Sequence, residues 1–140
     1  MKTILTTISF LLLSAGVFAQ SNGDWKLVQS KNGINIYAKE AVCTIDFSGV
    51  QMKNNLLKIE NTTGTVKNVS FRYGLYYGTT NCATCNNNEY DQKFTIAPNA
   101  SIEASCDNLD DKLKVFIRYE NEKNYNPDLS KMEFVNLIVN

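Results

Sequence analysis

The chain has 140 residues, with 14 basic and 14 acidic side chains, four cysteines and no histidine. This balance gives no electrostatic reason to expect a nucleic-acid partner. The missing histidine excludes nucleophiles activated by a histidine base, and it excludes histidine-ligated zinc, copper or iron. Catalysis by carboxylates alone stays open, but we assign no catalytic residue and expect no cofactor.

The first 19 residues have the pattern of a secretory signal peptide. Lys2 supplies a positive charge, residues 4–13 are mainly apolar, and Val17 and Ala19 are the small residues expected before a cleavage site. The apolar run is shorter than the roughly 20 residues that span a bilayer, so we expect no transmembrane anchor. The sequence therefore predicts a secreted or periplasmic protein, cleaved after Ala19, whose residues 20–140 form one domain.

Alternating polarity follows the leader, and a helical period is nearly missing. Ile34 and Ile36 alternate with polar neighbours and predict a strand with one buried face. Leu57 and Ile59 mark a second strand, which ends at the turn-forming residues 61–64.

The most β-prone segment lies at residues 69–77, where large apolar or aromatic residues occupy every second position. It ends at Gly78 and leads into a polar loop that contains Cys82 and Cys85. Phe94 and Ile96 then mark a return strand.

Three more strands are predicted, around residues 102–106, 113–119 and 132–139. The last is apolar on both faces, so we expect it to be central or well covered, and only residues 121–131 are expected to hold a helical turn. About eight short strands separated by turns predict an all-β, antiparallel sandwich of about seven to nine strands.

The four cysteines predict two disulfide bonds, because an even count in an exported chain is typical of oxidised pairs. Three connectivities are possible. We favour Cys82–Cys85, which closes a loop, with Cys43–Cys106, which joins two strands. The alternatives are a redox-active Cys-x-x-Cys pair and a zinc site of four thiolates.

The candidate binding residues lie beside the cysteine loop. Tyr76, between Gly74 and Gly78, is the best candidate for an exposed contact, and Arg72 and Tyr77 lie close to it in sequence. Aromatic rings on an exposed sheet stack on sugars or anchor protein partners. The alternative for most aromatic residues of this segment is packing in the core.

Two sets of carboxylates suggest other activities. Asp107, Asp110 and Asp111 offer hard oxygen ligands for calcium, although their spacing matches no EF-hand loop and a solvated turn is the alternative. A hydrolase would need a pair of carboxylates, and nothing in the sequence brings two together. The candidates are Glu40, Asp46, Glu60, Glu89 and Glu103.

Two resemblances follow from particular segments. Residues 24–27 (Asp-Trp-Lys-Leu) with 33–37 (Gly-Ile-Asn-Ile-Tyr) resemble the opening of lipid-binding START-type domains, which implies a lipid cavity under a long C-terminal helix. Residues 57–63 and 94–102 resemble strand-and-turn steps of immunoglobulin-like sandwich modules in small uncharacterised exported bacterial proteins. This second resemblance implies an immunoglobulin-like β-sandwich and no particular activity.

These features together predict an exported, non-enzymatic module that binds a protein or a glycan at the cell envelope. The alternatives are a carboxylate-only hydrolase, a calcium-dependent envelope domain and a START-like lipid-binding domain.

Overall fold

The computed structural model describes residues 23–78, 81–108, 111–123 and 127–140, so the predicted signal peptide lies outside the described residues. The described residues form eight strands, all paired antiparallel, and one 3-10 turn at Asn88–Tyr90, with no α-helix among them. This confirms the prediction of an all-β, antiparallel fold. The strands are β1 (Lys26–Lys31), β2 (Ile34–Ile45), β3 (Val50–Asn61), β4 (Lys67–Tyr77), β5 (Asp91–Ile96), β6 (Ser101–Glu103), β7 (Lys114–Tyr119) and β8 (Leu129–Val139).

Two sheets share one hydrophobic core. In the five-stranded sheet β1, β2 and β3 are consecutive neighbours, and both β6 and β7 pair with the far edge of β3. In the three-stranded sheet β4 is central and is flanked by β5 and β8. Ile36 and Ile59 of the first sheet are fully buried with Val69 and Phe71 of the second. The alternating residues of the sequence therefore face each other between the sheets.

The chain leaves the edge of β3 between β6 and β7 and then returns to it. At the point of departure, the Ala104 amide donates to the Leu57 carbonyl at 2.9 Å. At the point of return, the Leu57 amide donates to the Leu113 carbonyl at 2.8 Å. The described residues of the excursion between these two bonds are 105–108 and 111–112.

The excursion covers part of the outer side of the five-stranded sheet. Cys43 has the opposite parity from Ile36 in the same strand, so it points away from the three-stranded sheet. A disulfide joins Cys43 to Cys106 of the excursion, with Cα atoms 5.1 Å apart. Ala41 and Leu56, on the same outer side, are also buried. The disulfide therefore fastens the excursion to β2 beside these buried residues.

The second disulfide joins Cys82 to Cys85, with Cα atoms 5.6 Å apart. The two pairs are those that the sequence analysis favours, and the described residues contain no free cysteine. Oxidised cysteines offer no thiolate to zinc.

β8 is at the edge of the three-stranded sheet, and all its residues except Val139 are half-buried or exposed, so the expectation of a central or well-covered strand is wrong. The apolar residues on both faces of this segment are explained by a bulge at Asn136, which has a φ of 54°. The register between β8 and β4 shifts beside this residue. Met132 and Phe134 pack on the core before the bulge, and Leu137 does so after it. Apolar residues of both parities thus reach one face of a single edge strand.

β1, the edge strand of the other sheet, is exposed at every residue. Lys26 and Lys31 pair with inward-facing residues of β2, so their side chains are on the core side of the five-stranded sheet. They are exposed because β1 lies beyond the edge of the three-stranded sheet. The register also shifts at Val28. Inward lysines and a bulge keep exposed edges from pairing with other chains, and Lys31 Nζ donates to the Leu137 carbonyl of β8 at 2.6 Å.

The long C-terminal helix implied by the START-type resemblance is not present, because residues 129–139 form β8. The helical turn expected within 121–131 is not found at residues 121–123 or 127–131, and residues 124–126 lie outside the described residues. In the described part of the chain, no helix has the length and apolar character needed to cross a membrane.

Candidate functional site: the outer face of the three-stranded sheet

β4 carries the candidate residues on the side that faces away from the core. Its inward residues include Phe71 and Tyr73, whose rings pack edge to face with centroids 5.1 Å apart. Because side chains alternate along a strand, Arg72, Gly74 and Tyr76 lie on the opposite side, which we call the outer face.

Arg72 connects β4, β5 and the cysteine loop (residues 81–87). Its Nε and Nη2 donate to the two carboxylate oxygens of Asp91 at 2.6 and 3.1 Å, and its Nη1 donates to the Cys85 carbonyl at 2.9 Å. The bound guanidinium lowers the pKa of the Asp91 carboxyl, and the carboxylate raises the pKa of Arg72. This bidentate pair fixes the arginine rather than leaving it as a mobile charge.

The cysteine loop continues the hydrogen bonding of β4 where β5 ends. β5 begins at Asp91 opposite Arg72, so the edge of β4 beyond Arg72 needs other partners. The Leu75 amide donates to Thr84 Oγ1 at 2.9 Å, and the Ala83 amide donates to the Leu75 carbonyl at 2.8 Å. Thr84 is 4% exposed and its hydroxyl donates to the Tyr73 carbonyl. A side chain thus takes the place of a neighbouring strand.

Gly74 lets the disulfide approach the sheet closely. A Cβ atom at this position would lie 3.2 Å from Cys85 Sγ and 2.7 Å from Glu133 Cγ. The absence of a side chain on β4 therefore leaves the space into which the half-buried disulfide packs.

Tyr76 is half-buried and held by two residues of β8. Its hydroxyl donates to Glu133 Oε1 at 2.5 Å, and Lys131 Nζ lies 4.7 Å from the ring centroid and 2.7 Å from Glu133 Oε2. Lys131 and the tyrosine hydroxyl both lower the pKa of Glu133, while the carboxylate raises the pKa of Tyr76. The ring is therefore fixed in orientation, with a cation above one face.

Tyr77 is not on the outer face. The register between β4 and β8 shifts after Tyr76, and Tyr77 pairs with Leu129. Both pack against the core, and the Tyr77 hydroxyl donates to the Phe116 carbonyl at 3.4 Å. Of the three candidate binding residues, the structure brings Arg72 and Tyr76 to one surface and directs Tyr77 into the molecule.

Two adjoining grooves lie along the outer face beside Arg72. Their floor is formed by the outward residues Asn68 and Ser70 of β4, and Ser70 and Lys93 line both. The first groove, of about 350 Å³, is lined by Asn68, Val69, Ser70, Lys93, Phe94, Thr95 and Asn140. The second, of about 170 Å³, is lined by Ser70, Phe71, Arg72, Asp91, Gln92, Lys93, Asn136 and Ile138.

None of the residues that line the first groove is among the binding residues predicted from the sequence. The usable signal is that the outward positions 68, 70 and 74 of β4 hold small or polar residues, which leaves a channel between the larger side chains of β5 and β8. Which residues of β8 form the wall depends on the bulge at Asn136, and strict alternation does not reveal that bulge.

In the acidic turn proposed as a calcium site, the Asp111 carboxylate forms hydrogen bonds to backbone amides at both ends of the excursion. Asp111 Oδ1 accepts from the Leu113 amide at 2.8 Å, and Oδ2 accepts from the Ser105 amide at 3.4 Å. Asp107 is exposed, and Asp110 lies outside the described residues. Among the residues that the structure describes, no three histidine, cysteine or acidic side chains are placed to hold a metal ion.

The carboxylates considered for a hydrolase contact different groups. Glu40 pairs with Lys53 at 2.6 Å, and Glu60 accepts from the Tyr37 hydroxyl at 2.8 Å. Glu60 and Glu103 lie on paired strands, with Glu103 opposite Lys58. No described contact assigns a catalytic role to either residue.

No protein-family model matches the chain, and no curated protein or solved structure matches it. The structure itself defines the class to which the chain belongs: an all-β protein with two antiparallel sheets around one core and two disulfides.

Proposed function

We propose that this protein is an exported, non-enzymatic module that binds a protein or a glycan at the cell envelope through the outer face and the cysteine loop. The observation that carries the proposal is that Arg72 and Tyr76 are both held in place before any ligand arrives. A surface whose side chains are already ordered loses less conformational entropy on binding.

The shape of the surface supports a macromolecular ligand. The outer face presents two open grooves towards one end of β4 and a fixed aromatic ring towards the other end. Sites for small molecules are typically concave and mostly apolar, and they bury most of the ligand. An extended ligand that lies across the sheet fits this face better.

Variants of Tyr76 test the surface directly. We expect Tyr76→Ala to weaken binding about tenfold or more, because the ring is the aromatic anchor of the proposed surface. Tyr76→Phe removes the bond to Glu133 and keeps the ring, so it should weaken binding much less. Tyr37→Ala, on the outer side of the other sheet, is the matched control.

The measurement starts from a glycan panel and a pull-down with the secreted protein, followed by titration of each retained ligand against every variant. Arg72→Ala is included because Arg72 holds the loop to the sheet. Equal affinities for wild type, Tyr76→Ala and Arg72→Ala would exclude this surface as the binding site.

The proposal includes export and an immunoglobulin-like sandwich. Two disulfides fit an oxidising compartment, and the resemblance of residues 57–63 and 94–102 supports the sandwich type. Mass spectrometry of the protein from the periplasm or medium should find an N-terminus at Gln20 and no free thiol. An uncut chain in the cytosol with four thiols would contradict export.

The calcium and hydrolase alternatives stay predictions. A melting scan with and without calcium separates the first from the binding module. A rise of several degrees that is lost in Asp110→Ala would favour calcium, whereas overlapping curves would favour the module.

A further inference from the structure

We infer that the grooves over Asn68 and Ser70 form a subsite for an extended acidic polysaccharide. This inference rests on the proposed function, because the subsite lies on the outer face next to Arg72. It adds the chemical class of the ligand and a second contact region away from Tyr76.

The floor of the grooves offers side chains rather than backbone. Ser70 lies opposite Lys93 of β5 and Ile138 of β8, so β4 is paired on both sides at this point. A peptide that binds by strand addition needs an unpaired sheet edge. The ligand of this subsite is therefore recognised through side chains.

The side chains that line the grooves match sugar hydroxyls. Hydroxyl and carboxamide groups both donate and accept hydrogen bonds, as sugar hydroxyls do. Ile138, at 51% exposed, is the large exposed hydrophobic side chain of this lining. The two phenylalanines of the lining, Phe71 and Phe94, pack on the core, and Arg72 is already paired with Asp91. Protein interfaces concentrate their energy in aromatic and arginine anchors. Because those of this lining are already engaged within the molecule, the lining favours a glycan over a protein. The polar residues are Asn68, Ser70, Thr95, Asn136 and Asn140.

The charges of the lining favour an acidic ligand. Arg72 and Asp91 form a bidentate pair, and their charges offset each other. Lys93 lines both grooves and is exposed, so its ammonium group is accessible to a ligand beside Ser70. A carboxylate-bearing sugar next to Lys93 gains Coulomb attraction that a neutral sugar lacks.

The length of the face favours a polymer over a single sugar. Four residue steps separate Asn68 from Arg72, and four more separate Arg72 from Tyr76. At about 3.3 Å per residue, the line from the groove to the tyrosine ring is about 26 Å long. A chain of several sugar units is needed to contact both regions.

Affinity electrophoresis tests the inference with the secreted protein, in gels that contain polygalacturonate, dextran or no polymer. We expect polygalacturonate to retard the wild-type protein and dextran to retard it less, with the difference shrinking as salt rises. Ser70→Tyr fills the groove and should weaken retardation about tenfold, and Lys93→Gln should weaken it by removing the charge. Ser101→Tyr, which adds the same bulk to β6 of the other sheet, should match the wild type.

Unfolding midpoints in urea establish that each variant is folded before the gels are compared. Absence of retardation in polygalacturonate would overturn the inference. So would equal retardation by dextran, or unchanged retardation of both Ser70→Tyr and Lys93→Gln. If another ligand, such as a protein, needs Tyr76 but tolerates Ser70→Tyr, the inference fails and the proposed function stands. If Tyr76→Ala also changes nothing, both fail.

Discussion

Asn61 is a buried polar residue that joins the end of β3 to the end of β5. Its side chain is 1% exposed. Its Nδ2 lies 2.7, 3.2 and 3.0 Å from the carbonyl oxygens of Thr65, Ile96 and Ala97, so its two hydrogens serve three acceptors, with one hydrogen shared. Its Oδ1 accepts from the amide and the hydroxyl of Thr63 at 3.0 and 2.7 Å. One side chain therefore satisfies several backbone groups that no strand partner reaches.

Removing this side chain should destabilise the protein more than a substitution in an exposed turn does. We expect Asn61→Ala to lower the free energy of unfolding by about 3 kcal/mol, because buried carbonyls and an amide lose their partners. Asn61→Asp should cost more, since a carboxylate would face three carbonyl oxygens. Urea denaturation at pH 7 measures both, with exposed Asn86→Asp as the control. A loss of stability in Asn61→Asp no larger than that of the control would contradict this role.

Asp91 makes the attachment of the cysteine loop sensitive to acid. Arg72 lowers the pKa of this carboxyl in the folded state, so the pair stabilises the fold above the ordinary aspartate pKa of about 4. That stabilisation is lost as the pH falls through the lower, folded-state pKa. Between pH 7 and pH 3 the wild-type protein should lose more stability than Asp91→Asn, which lacks the titrating group. Urea midpoints at the two pH values measure the difference, and equal losses would contradict it.

At the scale of elements, Thr84 is one of the residues that hold the cysteine loop on the edge of β4. Thr84→Val keeps the shape and removes the hydroxyl that contacts Leu75 and Tyr73. We expect a loss of about 1–3 kcal/mol, because a buried amide and carbonyl lose their partners. Hydrogen exchange of the Leu75 amide should become faster, while exposed Thr44→Val leaves it unchanged. Unchanged protection of Leu75 in Thr84→Val would show that the loop does not cap this edge.

Strands could be predicted from the sequence, but irregularities within them could not. Alternation alone locates β4, since Phe71 and Tyr73 face the core as their parity predicts. The bulge at Asn136 has no signature in alternation, which is why apolar residues of both parities suggested a central β8. The capping role of Thr84 depends on where β5 begins, which only the folded chain reveals.

The candidate site was predictable to the same degree. The outward parity of Arg72 and Tyr76 follows from the pattern of one strand. The inward position of Tyr77 follows from the same pattern, since it shares the parity of Phe71 and Tyr73. The grooves, by contrast, depend on side chains from three strands that are distant in sequence. The alternation of residues along the chain therefore predicts the part of the surface that β4 contributes. The parts contributed by β5 and β8 depend on the tertiary structure.

At the scale of the molecule, the two disulfides constrain chain segments of very different length. Cys43–Cys106 spans 63 residues and Cys82–Cys85 spans 3. The loop-entropy model gives a stabilisation of about 4 kcal/mol for the long bridge and about 2 kcal/mol for the short one. Replacing each pair by serines should therefore lower the urea midpoint more for Cys43/Cys106. Equal or reversed losses would show that the excursion is held by packing instead.

The proposed function requires that the ligand bind the outer face of the three-stranded sheet. The most direct measurement is a map of amide chemical shifts in the isotope-labelled secreted protein during titration with oligogalacturonate. We predict that the perturbed amides cluster on the outer face, in β4, β5 and β8 around Ser70, Lys93 and Ile138. Perturbations confined to β2 and β3 around Tyr37 and Lys58, or none at saturating ligand, would contradict the account.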